Sequence, residues 1–133
     1  MTVVMLPLLL FAASAGEGDP KVNCADTATQ HEMNDCAAQS FAEADRALNA
    51  QWRITIADVR RTDADIPEWD ERGTAEQRLR DAQRAWIVFR DAHCTVYGFT
   101  SRGGSMEPML FNFCRSELSE QRTKQLKDLV IDR

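Results

Sequence analysis

The sequence predicts an all-α fold, a disulfide-bonded antiparallel helical hairpin with a third C-terminal helix, and three observations carry that prediction. Apolar or small residues recur in steps of three and four along two long stretches, each opened by a capping box. No segment shows the period-two alternation of a half-buried strand. Four cysteines, an even set, are spread across the elements, which in an exported chain reads as two cross-links.

Export is read from the N-terminus. Val3 to Ala13 is an apolar run containing Pro7, and Ala13-Ser14-Ala15 is an A-x-A site with cleavage expected before Gly16. The run is too short to span a bilayer, and Glu17 follows closely. No Lys or Arg precedes it, and the first cysteine, Cys24, follows Lys21-Val22-Asn23 rather than the apolar run. The expectation is therefore a periplasmic or secreted chain, cleaved near Ala15, without a lipid anchor or membrane attachment. Residues 1–15 are expected as the signal peptide, 16–26 as a leader and 27–133 as the helical domain.

Thr29, with Glu32 three residues on, opens the first helix, expected over Thr29 to Arg60. Met33, Ala37, Phe41, Ala44, Leu48, Trp52, Ile56 and Val59 form its buried face. Arg61 to Gly73 breaks the period and forms a loop around Pro67. Thr74 with Gln77 caps a second helix, expected over Ala75 to Cys94, with Leu79, Ala82, Trp86, Phe89, His93 and Val96 at a/d spacing. The turn makes the two helices antiparallel, burying their stripes on each other. Gly98 ends the second, Met106 to Cys114 suits a short packed segment, and a last helix is expected from Ser119 with Leu126, Leu129 and Val130 facing inward.

This layout gathers Cys36, Cys94 and Cys114 at one end. Four cysteines allow three connectivities, and spacing does not choose among them; the expected heights of the helices favour Cys36 with Cys94 and Cys24 with Cys114. A zinc site lacks any C-x-x-C pair.

Several stretches in order resemble one family. Thr29-Gln30-His31-Glu32-Met33-Asn34-Asp35-Cys36-Ala37 with Ala44-Asp45 and Leu48-Asn49, then Ala82-Gln83-Arg84-Ala85-Trp86 with Phe89-Arg90-Asp91-Ala92-His93-Cys94, are similar to the lysozyme inhibitor LprI-like domain. Gly103-Gly104-Ser105-Met106, Cys114 and Leu118-Ser119-Glu120-Gln121-Arg122-Thr123 complete the pattern from about Cys24 to Leu129. The resemblance implies a secreted or periplasmic helical domain and, as function, a binding protein that inhibits a lysozyme by occluding its cleft. The alternative is a structural or stress-related envelope protein without inhibitory activity. The family's namesake is a lipoprotein, from which this chain departs at its first cysteine.

Candidate sites follow from the residues. Asp45 and Asn49, and Gln83 and Arg90, share helix faces; a polar network fixing helix register is the plain reading, a ligand pocket the sharper one. His31-Glu32 begins an H-E-x-x-H pattern, but Asp35 stands where the second His belongs, so no metal is expected. His93 beside Cys94 points elsewhere on its helix, and no nucleophile, base and orienting group fall together, so neither an enzyme nor a cofactor is expected. The net charge of −5 and the scatter of basic residues speak against nucleic acid. The partner-binding candidates are an acidic loop, Asp63, Asp65, Glu68 and Asp70 around Trp69, and the turn Gly103, Gly104, Ser105 and Met106. An acidic surface with an aromatic anchor suits a basic partner such as a lysozyme or another cell-wall protein.

Overall fold

A computed structural model of the chain describes residues 23–130. The segment expected as a signal peptide (1–15) and most of the expected leader (16–26) lie outside the described residues. Three helices make the fold: α1 (Gln30–Asp63), α2 (Ala75–Gly98) and α3 (Glu107–Asp128), with one 3-10 turn (Phe99–Ser101) after α2. No strand occurs among the described residues, and no helix there is long and apolar enough to cross a membrane.

The starts of α1 and α2 follow from their caps. Thr29 accepts from the Glu32 amide at 3.2 Å, while the Glu32 carboxylate accepts from the amides of Ala28 and Thr29, both at 2.9 Å. These backbone bonds hold Glu32 below the usual carboxylate pKa. Thr74 and Gln77 repeat the box on α2. Both helices run somewhat past their expected ends, α1 to Asp63 and α2 to Gly98.

The third helix differs more. It starts at Glu107 and runs unbroken through Ser119, replacing the expected short segment and late helix. Pro108 sits in its first turn, where a missing N–H costs nothing. Ser119 is no cap but a fully buried contact, and Ser116 is buried beside it, its hydroxyl 2.9 Å from that of Ser40. Ala37 and Ala44 on α1 are buried as well, and small side chains on both helices let α1 and α3 approach closely.

Residue pairs give the directions. Arg60 meets Glu76 and Asp45 meets Arg90, so α1 and α2 are antiparallel. Gln30 meets Met109, Ser40 meets Ser116 and Thr55 meets Leu126, so α3 runs parallel to α1. The main packing partner of α1 is α3 rather than α2. Leu48, Ile56, Leu79 and Leu126 form the apolar centre, with Trp52, Val59 and Trp86 against it. Thr55 is fully buried within this region and donates to the Leu126 carbonyl at 2.9 Å, which satisfies its hydroxyl. Leu126 faces inward as expected, but Leu129 is 46 % exposed.

The face of α2 is the main correction within the elements. Leu79 is buried and Trp86 partly so, but Ala82, Phe89, His93 and Val96 are exposed, Phe89 at 54 % and Val96 at 68 %. The buried positions beyond Leu79 are Arg90, Cys94 and Gly98. The cysteine pairing is corrected too: the bridges are Cys24–Cys36 and Cys94–Cys114. Because α3 intervenes, Cys94 at the end of α2 meets Cys114 at the start of α3, and Cys36 is left to fasten the leader.

The opposite end is held by polar contacts. The Asp63 carboxylate accepts from the amides of Ala75 at 2.7 Å and Glu76 at 2.9 Å, capping α2 from the last residue of α1. Arg60 and Arg80 both bond Glu76 and hold its pKa at about 2. Because that pKa is depressed, the support these pairs give is complete above the ordinary carboxylate range and disappears as pH falls through about 2. Asp63→Ala removes the inter-helix cap, and chemical denaturation should show a loss of about 1–2 kcal/mol; Asp63→Asn, which keeps one acceptor, should lose less.

Candidate functional site

Asp45, Asn49, Gln83 and Arg90 make two separate sets of polar contacts. Arg90, 7 % exposed, donates to Asp45 at 3.3 Å, to the Ser119 hydroxyl at 3.4 Å and to Asp91 at 2.9 Å. Asn49 donates to Asp45 at 3.1 Å and extends that part along α1. Gln83 instead accepts from Arg122 at 3.0 Å, tying α2 to α3. The Arg90 guanidinium also lies 5.1 Å from the ring centres of both Phe41 and Trp86. Sequence reading missed its companion, Arg115, which lies 3.8 Å from the Phe41 ring centre and 4.1 Å from that of Phe111. Burial pushes the Arg115 pKa down. Phe41 is thus clasped between two guanidiniums, each attracted by a ring face.

Cys94 is in a disulfide, and His93 stacks on Phe89 at 5.3 Å on the exposed side of α2. His31 lies 3.5 Å from Asp35 at the solvated start of α1. Among the described residues no group of three or more His, Cys, Asp or Glu is placed to hold a metal ion. Asn49 and Gln83 line a shallow groove of about 230 Å³ with Trp52 and Arg80, open to solvent rather than enclosed.

The acidic loop resolves into two kinds of carboxylate. Asp63 is spent on the α2 cap, and Asp70 binds Arg72 through both oxygens, which holds its pKa at about 2. Asp65, Glu68 and Glu71 are exposed and make no ion pair among the described residues. Trp69 stands among them, 78 % exposed. An indole held so far out of the core, on a loop fixed at both ends by carboxylate contacts, gains nothing for folding.

The second candidate, Gly103-Gly104-Ser105-Met106, lies at the disulfide end. Gly103 has φ +76 and donates its amide to Glu107 at 2.6 Å, and the Ser105 carbonyl accepts from Asn34 at 2.9 Å. Most of its conformation is explained by turn geometry. Met106 is 43 % exposed. Asn34 and Asp63 mark the two ends of α1, so the turn and the Trp69 loop are separated by roughly 45 Å of helix at about 1.5 Å per residue. The two candidates are therefore separate footprints rather than one surface.

Sequence reading also missed a groove of about 240 Å³ between α2 and α3, lined by His93, Tyr97, Phe113 and Leu118 among others. Of its lining only His93 belongs to the α2 spacing that reads as buried, and the apolar periodicity hides the rest.

A protein of Rhizobium meliloti (strain 1021), described only as uncharacterized, is 40% identical over 124 residues, covering 92% of this chain and 89% of its own length. No solved structure matches the chain. The profile of the family described as lysozyme inhibitor LprI matches residues 23–126. The match embraces both disulfides, the Arg90 cluster and the Trp69 loop, and by it the chain belongs to the lysozyme inhibitor LprI family.

Proposed function

We propose that the chain is an extracytoplasmic inhibitor of a lysozyme and that it docks through the Trp69 loop. Membership of the inhibitor family supports the activity. The observation that carries the docking site is Trp69 at 78 % exposure among three carboxylates without ion pairs. Lysozymes are typically basic, with a catalytic carboxylate pair inside a cleft. Carboxylates from the inhibitor would be repelled by that pair, so the neutral indole enters the cleft, while Asp65, Glu68 and Glu71 remain at the basic rim. The acids then speed encounter and orient the loop, and the indole excludes water and supplies affinity.

Purified mature protein should slow cell-wall lysis by at least one lysozyme in physiological salt, where the Debye length is about 8 Å and loose acid–base association fades. Trp69→Ala should weaken inhibition by about 2 kcal/mol or more, roughly thirtyfold. Neutralising Asp65 and Glu68 should mainly slow association. A Met106→Ala variant, at the far end of α1, should leave inhibition unchanged. If no lysozyme is inhibited at micromolar protein, the inhibitor reading fails and a structural role in the envelope replaces it.

A further inference from the structure

The outward side of α2 carries a second hydrophobic seam. Ala82, Ala85, Phe89, Ala92 and Val96 follow one another at intervals of three and four, and Phe99 continues the spacing just past the helix. This is the repeat of a coiled-coil contact line. All six are exposed, Phe89 at 54 %, Val96 at 68 % and Phe99 at 41 %. Among the described residues the other helices do not cover the seam, because α2 turns Leu79, Arg90, Cys94 and Gly98 toward them. None of the six positions is charged.

The order of side-chain sizes specifies the occupant. Laid antiparallel on a copy of itself, with the twofold axis between Phe89 and Ala92, the seam sets Phe89 against Ala92, Val96 against Ala85 and Phe99 against Ala82. Every layer then pairs a large side chain with a small one, as interdigitated packing requires. A parallel pairing instead sets each residue against itself, crowding phenylalanines in some layers and leaving gaps between alanines in others. Self-complementarity under a twofold axis is the defining property of an isologous interface.

Area and charge agree with this. With Val88 at 71 % exposure flanking the seam, the apolar surface available is on the order of 500 Å² per copy. A symmetric pair would then bury about 1,000 Å², at the lower end of specific interfaces. The chain carries a net charge of −5, and contact through a face without charge adds nothing to the repulsion between copies. An antiparallel pair also sends the two acidic loops to opposite ends, roughly 45 Å apart along α2 and far beyond the screening length.

We propose that two copies of the chain associate through α2, antiparallel and twofold symmetric, with Phe89 of each seated against Ala92 of the other. Sedimentation equilibrium of the oxidised mature protein should show a reversible monomer–dimer equilibrium with a Kd in the micromolar range, about 1–100 μM. Ala85→Glu and Val96→Lys, each at an exposed position, should singly raise that Kd at least about tenfold with unchanged helix content by circular dichroism. Combined in one chain they should restore the dimer, since each introduced charge meets its opposite only in the antiparallel register. A chain that stays monomeric at about 1 mM overturns the proposal and leaves the seam to another protein. A dimer indifferent to both single changes overturns the interface, and failure of the double variant to recover overturns the antiparallel register.

Discussion

Converting Cys94 and Cys114 together to alanine should lower the stability of the fold by about 3 kcal/mol, whereas converting Cys24 and Cys36 should cost about 1 kcal/mol or less. Loop length does not separate them, because the bridged separations of 20 and 12 residues give similar entropies in a chain-closure account. Their settings do. Cys94 is fully buried and Cys114 is 8 % exposed, and together they close the end of α2 onto the start of α3 across the turn at Gly103. Without the bridge the helices still have to meet, so the unfolded chain gains freedom that the native state cannot share. Cys24 is exposed and fastens only the short leader to α1. When that bridge is cut, the leader frays in the folded protein as well, and most of the entropy returns to both states. Urea denaturation of the two double variants measures the difference, and equal losses would contradict this account.

The pairing itself shows where the sequence was informative and where it was not. The elements were legible because Thr29 with Glu32 and Thr74 with Gln77 announce two helix starts, and the Ala37, Ala44, Leu48 and Ile56 spacing fixes the inner side of α1. Which helix lies beside which was not legible, because capping and periodicity are local. Assuming that α1 and α2 bury their stripes on each other brings Cys36 toward Cys94. The closer packing of α3 on α1 brings Cys114 there instead.

On α2 the difficulty was a degeneracy of spacing. Steps of three and four from Leu79 lead either through Ala82, Phe89 and Val96 or through Gln83, Arg90 and Cys94, and hydrophobicity favours the first path. The protein takes the second because Phe41 and Trp86 receive the Arg90 guanidinium, so burial of that charge is offset by rings and hydrogen bonds. The acidic loop was legible as a charged exposed segment around Trp69. That Asp63 would be consumed as a cap and Asp70 by Arg72 depends on where α1 ends relative to α2, which no local pattern encodes.

Arg90→Ala is expected to destabilise the fold by about 2–4 kcal/mol, through packing more than through charge. Asp45 and Asp91 have side chains 40% and 46% exposed, so water takes over their solvation when the guanidinium is removed. Their bonds to Arg90 are therefore each worth little. The losses lie elsewhere. The apolar stem and guanidinium plane fill the space between Phe41 and Trp86, and alanine leaves a cavity there. The Ser119 hydroxyl is fully buried and loses its donor at 3.4 Å, which adds the desolvation cost of an unsatisfied polar group. Arg90→Met, which keeps most of the volume, should recover more than half the loss, and Arg90→Met combined with Ser119→Ala should recover more again by removing the orphaned hydroxyl. Denaturation of the three variants distinguishes the causes. A methionine variant as unstable as the alanine one would mean that the ion pairs, not the packing, hold α2 against its neighbours.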